Sequence, residues 1–192
     1  MLRDAIGRDW QCGTLQVDMN LPARFGLEYV DEDGQRQRPV MLHRALFGSL
    51  ERFTGILLEH HAGKLPSWLS PVQVVVSSIT QQYAGYAQDV TKLLHSVGLR
   101  AEVDTRNEKI GYKVREQTLQ RIPFLLIAGA KEQAEGTIAI RNRDGKDLGT
   151  FEVKAALDML MQQCEAPDAA ERRQAIEQLW AGLSPAKHST TA

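Results

Sequence analysis

Val72-Gln-Val-Val-Val-Ser77 is a short apolar run rich in valine, the pattern of a strand buried on both faces. Beyond it helices and strands alternate. Gln82 to Val97 reads as a helix, with Tyr83, Tyr86 or Ala87, Val90, Leu93, Leu94 and Val97 on one stripe and Gly98 placed to cap its end. Leu99 to Val103 is a second strand, Lys109 to Gln120 a second helix, and Phe124 to Ala128 a third strand just after Pro123. Residues 136–143 and 148–152 flank Asp144-Gly145, which predicts a hairpin, and residues 153–164 form a last helix against the sheet. Strand and helix in alternation, closed by a hairpin, predict an α/β fold: a three-layer domain with a mixed five-stranded sheet.

Working outward, Gly63-Lys-Leu-Pro66-Ser-Trp68-Leu-Ser-Pro71 is the one clear linker, with two prolines and a glycine in nine residues. Before it, residues 8–19 alternate around Trp10, Cys12, Leu15 and Val17 as a strand that Asn20-Leu-Pro22 stops. Residues 26–31 and 38–43 flank the polar turn Asp31-Glu-Asp-Gly34, predicting a hairpin, and residues 45–62 form a helix with Leu46, Leu50, Phe53 and Leu57 at spacings of three and four. The expected division is an antiparallel strand-and-helix region at 1–63, a linker at 64–71, the α/β domain at 72–165, and an extra helix and tail at 166–192. In that last part residues 168–182 are helical with Ile176, Leu179, Trp180 and Leu183 along them, and residues 184–192 read as a frayed tail.

Composition narrows the function classes. The chain has 192 residues, 43% of them hydrophobic and 24% charged, with a net charge of -1. Enough apolar material is present for a core, and the charge balance argues against a protein that coats nucleic acid non-specifically. Cys12 and Cys164 lie far apart, the start Met-Leu-Arg-Asp has no apolar signal core, and no apolar run approaches the roughly 18 to 20 residues that span a membrane. A cytoplasmic location without a membrane is expected.

The chemistry concentrates in Arg38-Pro-Val-Met-Leu-His43-Arg-Ala-Leu-Phe-Gly48-Ser-Leu-Glu-Arg52-Phe53. His43 ends a strand, Gly48 permits a break, and Ser49 and Arg52 share a helix face; a guanidinium there can pair with phosphate and stack on a base. This string resembles the third signature motif of the class II aminoacyl-tRNA synthetases, in the form used by threonyl-tRNA synthetases. Asp4-Ala-Ile-Gly7-Arg-Asp-Trp10-Gln11-Cys12-Gly13-Thr14-Leu-Gln16 is similar to the same family's preceding active-site strand, and the resemblance runs from about residue 4 to about residue 163.

The resemblance implies specific roles. Residues 1–63 would be the last strands and helix of a class II catalytic domain. Arg52 would pack on the adenine of ATP, with Gln11, Thr14 and Ser49 lining the nucleotide and threonine pockets, and Arg52 and Gln11 are the catalytic candidates. His43 falls on the last ligand of a zinc ion held in the family by one Cys and two His, which recognises the threonine hydroxyl and so rejects valine. The other two ligands are expected upstream of residue 1, and Cys12 lines the amino-acid pocket without binding metal. The family's other two signature motifs are not in these residues, so activation of threonine by them alone is not expected. A second chain supplying the remaining active site is a candidate partner, and the full-length family is homodimeric.

The α/β domain resembles the family's anticodon-binding domain, whose ligand is threonine tRNA read as unstacked loop bases. By resemblance Ile79, Asn107, Arg115, Glu132 and Arg141 face the anticodon. Between residues 100 and 121 six basic residues, Arg100, Arg106, Lys109, Lys113, Arg115 and Arg121, stand against four acidic ones, a mild excess. His60-His61 reads as a helix end, since neighbouring helical side chains point about 100° apart. Gly98, Gly129, Gly136 and Gly145 are turn or cap residues without the spacing of a phosphate loop. The main reading is the C-terminal part of a threonine-tRNA ligase. The alternative is a stand-alone tRNA-binding or interaction module derived from one, while a polymerase accessory relative is disfavoured by His43 and the threonine-type strand.

Overall fold

Turn-forming residues break the first sixty positions into short strands. In the computed structural model, which describes residues 1–183 and side chains through Leu179, Leu2–Arg3 (β1) pairs antiparallel with Asp9–Trp10 (β2). Thr14–Asp18 (β3) pairs antiparallel with a later strand, Met41–Ala45 (β6), which places Gln16 opposite His43. Between them lie a one-turn helix, Leu21–Arg24 (α1), and a hairpin of Tyr29–Val30 (β4) with Arg36–Gln37 (β5).

Two expectations are corrected here. The strand expected over residues 8–19 is two strands, interrupted at residues 11–13. Residues 38–43 are not the second arm of the hairpin: the Asp31 carboxylate accepts from Asp33 N (3.1 Å), Gln35 N (2.7 Å) and Gln37 Nε2 (2.9 Å). Those bonds close the turn early, so β5 is the arm and the next segment is left to pair with β3. The helix expected over 45–62 is Leu50–His60 (α2). Gly48 has φ +66°, which breaks the chain direction, and the Ser49 hydroxyl caps the helix by accepting from Arg52 N at 3.2 Å. Phe47 packs on Phe53 with ring centroids 4.5 Å apart, fixing the entry of the chain into the helix.

Residues Met1–Leu65 form one unit and the chain from Pro66 onward forms another. The first has little interior. Cys12 and Pro22 are buried, but Leu15, Val17 and Leu42 on one face of the β3–β6 pair are all more than half exposed.

The second unit carries the core. Its elements are Val74–Ser78 (β7), Ala84–Ser96 (α3), Ala101–Asp104 (β8), Ile110–Leu119 (α4), Phe124–Ala128 (β9), Ala130–Glu135 (α5), Thr137–Asn142 (β10), Asp147–Glu152 (β11), Val153–Cys164 (α6) and Ala169–Leu183 (α7). The sheet order is β11-β10-β9-β7-β8, with β8, β7 and β9 parallel and β10 antiparallel to both its neighbours. This is the expected mixed five-stranded sheet. Alternate residues face opposite layers. Val74, Val76, Leu126, Ile138 and Ile140 meet Val90 and Leu94 of α3 and Leu160 of α6, while Val75, Leu125 and Ile127 meet Ile110 and Val114 of α4. Full burial of each such side chain stabilises by about 1.5–3 kcal/mol.

Helix α5 has no counterpart in the sequence expectations; six residues give too little periodicity to read. Residues 67–69 make a 3-10 turn held to the second unit, since Arg100 donates to the Trp68 and Ser70 carbonyls at 2.8 Å and Gln73 Nε2 to the Ser67 carbonyl at 3.1 Å. The Trp180 and Leu183 side chains and the expected tail at 184–192 lie outside the described residues. Among the described residues no helix is long and apolar enough to cross a membrane.

Candidate nucleic-acid interface

Strand β7 is where the order of the parallel strands reverses. From it the chain passes through α3 to β8 on one side, then through α4 on the opposite face to β9 on the other side. At such a point the connections leave the carboxyl ends of neighbouring strands toward opposite faces, and a crevice opens between them. Ile79 follows β7 and Gly129 follows β9. The Ile79 amide donates to the Ala128 carbonyl at 2.9 Å, and the Ile79 side chain is 40% exposed.

Gly129 draws a second candidate to the same place. A Cβ there would stand 2.5 Å from Ile79 Cδ1 and 2.8 Å from Glu132 Oε2, so the two side chains use the space that any larger residue would occupy. Tyr86, from α3, adjoins them: its hydroxyl donates to the Thr137 carbonyl at 2.6 Å, and burial, with the nearby Glu132 charge, pushes its phenol pKa up. An apolar side chain beside a carboxylate, half open to solvent, suits a flat base with hydrogen-bond donors on its edge.

Asn107 is exposed three residues beyond the end of β8, at the same end of the sheet, and Arg115 is exposed on α4. Arg141 is elsewhere. It pairs with Leu125, three residues before Ala128 on β9, and its guanidinium lies 3.9 Å from Asp147. The structure thus joins Ile79 and Glu132, sets Asn107 at the same sheet end, and separates Arg141 from them.

The basic excess is also corrected. Lys113 is fully buried, donating to the Ser78 carbonyl (2.9 Å) and the Asp104 carbonyl (3.1 Å) with Asp104 Oδ1 at 3.6 Å. Arg106 donates to Asp104 from Nε (3.0 Å) and Nη2 (2.7 Å) and also to Glu116. The Arg106 hydrogen bonds, chiefly, hold the Asp104 carboxyl below its ordinary value against the opposing effect of burial. With Arg100 on backbone carbonyls, three of the six basic groups are engaged within the chain, and Lys113 is the buried one of the three. Gly129, Tyr86 and Lys113 escaped the sequence reading. Lys113 left a signal, a lysine beside Val114 and three residues after Ile110 on the buried stripe of α4.

In the first unit the Trp10 ring lies under two guanidinium groups, Arg8 at 5.3 Å and Arg52 at 5.5 Å from its centroid. The buried Asp4 carboxylate holds the ring in place, accepting from Trp10 Nε1 (2.9 Å), Arg8 N (2.8 Å) and Ile6 N (3.1 Å). Burial raises its pKa, yet the bonds from Trp10 and Arg8 outweigh that and hold it well below the usual carboxylate range. Gly48 brings the start of α2 against the strand end: a Cβ there would be 3.3 Å from the Cys12 carbonyl and 3.7 Å from that of Gln11. Gln11, Ser49 and Arg52 therefore stand around one chain crossing, and Thr14 opens β3 opposite Ala45. The Ser49 hydroxyl, besides capping α2, donates to Glu51 at 2.7 Å. His43 borders an open hollow of about 680 Å³ shared with Gln16, Asp18 and Arg24, its Nε2 3.9 Å from Asp18 Oδ2. Among the described residues no three His, Cys, Asp or Glu side chains gather as metal ligands, so His43 could supply one ligand to a zinc ion but these residues do not complete the set. The His60 and His61 rings end α2 at 89° to one another.

Comparison with known proteins agrees with both halves of this geometry. Residues 73–163 match the anticodon binding domain, and residues 1–61 match the tRNA synthetase class II core domain of the G, H, P, S and T types. The chain is 57% identical over 159 residues to the threonine–tRNA ligase of Stenotrophomonas maltophilia, covering 83% of this chain and 25% of that protein. It is 55% identical over 157 residues to the threonine–tRNA ligase of Dichelobacter nodosus, covering 82% of this chain and 24% of that protein. The chain thus spans about a quarter of the length of the curated relatives it matches. Its fold is similar to the crystal structure of the RNA binding domain of threonyl-tRNA synthetase from Cryptosporidium parvum, with a TM-score of 0.70 and 35% identity over 84% of this chain and 41% of that one.

Proposed function

We propose that this chain, which belongs to the threonyl-tRNA synthetases and joins the end of a class II core to an anticodon binding domain, reads the anticodon of threonine tRNA as the C-terminal part of a threonine–tRNA ligase. The observation that carries the reading is the meeting of Ile79 and Glu132 across Gly129 at the strand-order reversal. Ile79 supports a splayed base by apolar contact, and the Glu132 carboxylate accepts from the base edge. Asn107 and Arg115 approach from the β8 side and supply donors to bases or phosphates. Arg141, on another part of the sheet, reaches a different nucleotide.

Residues 1–61 contribute one wall of the pocket for ATP and threonine. Arg52, whose guanidinium lies over the Trp10 ring, offers its other side to adenine, and Gln11 and Thr14 line the adjoining space. ATP, when bound in the complete enzyme, would supply the adenylyl group that activates the threonine carboxylate, with pyrophosphate leaving. The Ser49 hydroxyl caps the helix that carries Arg52 and borders the same pocket. The exposed Leu15, Val17 and Leu42 face favours completion of the core by further polypeptide, on a second chain or in a homodimer, with location in the cytoplasm where tRNA is charged. Against this stands the second reading, a stand-alone tRNA-binding module, which the self-contained core of the second unit favours.

The test is binding of the purified chain to a threonine-tRNA anticodon stem-loop, compared at fixed salt with the same loop in which the G and U of the anticodon are exchanged. Tenfold or greater preference for the first is the expected result. Equal affinity for both would sink the reading.

A further inference from the structure

The least expected side chain in the second unit is Lys113. A lysine is almost never fully buried unless it is paired, and this one has no exposed surface. Its partners are two main-chain carbonyls that accept its hydrogen bonds, those of Ser78 and Asp104, and the Asp104 carboxylate, an ion-pair contact at 3.6 Å. An apolar residue would fill the same space on α4 without the desolvation that a buried ammonium imposes. The acceptors indicate what the ammonium does there.

Ser78 and Asp104 are the last residues of the adjacent parallel strands β7 and β8. Ile79 follows Ser78 directly, Asn107 follows Asp104 by three residues, and Arg115 lies two residues beyond Lys113 on α4. One buried cation therefore fastens together the three segments that carry Ile79, Asn107 and Arg115. The Asp104 carboxylate extends the fastening to the loop, since it also accepts from Arg106 N at 3.1 Å and from the Arg106 guanidinium, which in turn reaches Glu116 on α4. Among the described residues Ser77 Oγ and Ser78 Oγ are buried without a hydrogen-bond partner, so beyond the backbone pairing with β8 and β9 the side-chain tie at this strand end is the one from Lys113 to the Ser78 carbonyl.

We propose that Lys113 is a positioning residue for anticodon reading: its ammonium ties α4 to the paired ends of β7 and β8, and so sets the place of Arg115 relative to Ile79 and Asn107. The inference rests on the anticodon reading above. It adds a residue that touches no nucleotide yet controls which loop is preferred.

The experiment uses the full chain and the same pair of anticodon loops. D104N/K113M removes both buried charges together, which avoids leaving one of them uncompensated. Expected is a cooperative melt close to that of the parent and unchanged affinity for the exchanged loop, with the preference for the threonine loop falling about tenfold. K113R, which retains a cation, is expected to recover part of that preference. If the parent discriminates and the folded D104N/K113M protein discriminates equally well, the positioning role is overturned while the anticodon reading stands. If the parent itself does not discriminate, both fall. Should D104N/K113M fail to melt cooperatively, K113R decides: a folded K113R with reduced preference and unchanged affinity for the exchanged loop supports the role, whereas a folded K113R with the parent's full preference, or loss of the fold in both variants, overturns it.

Discussion

Ile79 Cδ1 and Glu132 Oε2 meet over Gly129, in space where a methyl group would lie 2.5 Å from one and 2.8 Å from the other. Both atoms are the free ends of side chains. G129A therefore forces these two aside while leaving the backbone, whose φ of -132° any residue adopts, undisturbed. The melting temperature should change by no more than a few degrees, whereas affinity for the threonine anticodon loop should drop about tenfold, or about 1.4 kcal/mol. Binding isotherms beside a thermal melt check this, and a large loss of stability with binding intact would contradict it.

Acid should weaken the second unit through Asp104. Its folded pKa is depressed, so the stabilisation is fully present above the unfolded aspartate value of about 3.9 and is lost as pH falls through the lower folded value. Denaturant midpoints measured from about pH 5 downward should decline for the parent more steeply than for D104N, which has no carboxyl to protonate.

Removing Leu160 from the contact of α6 with the sheet should test where the stability resides. The side chain is fully buried among Val74, Leu126 and Ile138 in the larger apolar cluster. L160A is expected to lower unfolding free energy by about 2–5 kcal/mol, read from urea melts. L15A, on an exposed position of the first unit, should cost far less.

Limited proteolysis should part the two units. The chain turns at Ala62 and Gly63, both at positive φ, and the 3-10 turn beyond them is hydrogen-bonded to the second unit through Arg100 and Gln73. Trypsin is expected to cut first after Lys64, leaving a resistant fragment that runs to about residue 165, as the division into 1–63, 64–71, 72–165 and 166–192 implies. First cleavage at another basic residue, such as Arg52 or Arg100, identified by mass, would place the boundary elsewhere.

Apart from the short helix α5, the order of elements from β7 to α6 was written in the sequence because each is specified locally. A valine run can only be a doubly covered strand, a stripe of period 3.6 can only be a helix, and Pro123 and Gly145 mark where chain direction changes. The motif around Arg52 was legible for the same reason, as a contiguous string. Partnership between distant segments was not. Which strand residues 41–45 would join depended on how the Asp31 side chain closed its turn, a contact no periodicity reports. Lys113 counted as one more cation in a basic excess until the sheet supplied two carbonyls and a carboxylate for it, and Gly129 as an ordinary cap until Ile79 and Glu132 arrived from 50 residues upstream and three downstream. Local propensity fixes elements one at a time; the tertiary structure alone decides which groups share a buried volume, because that depends on distances between residues far apart in the chain.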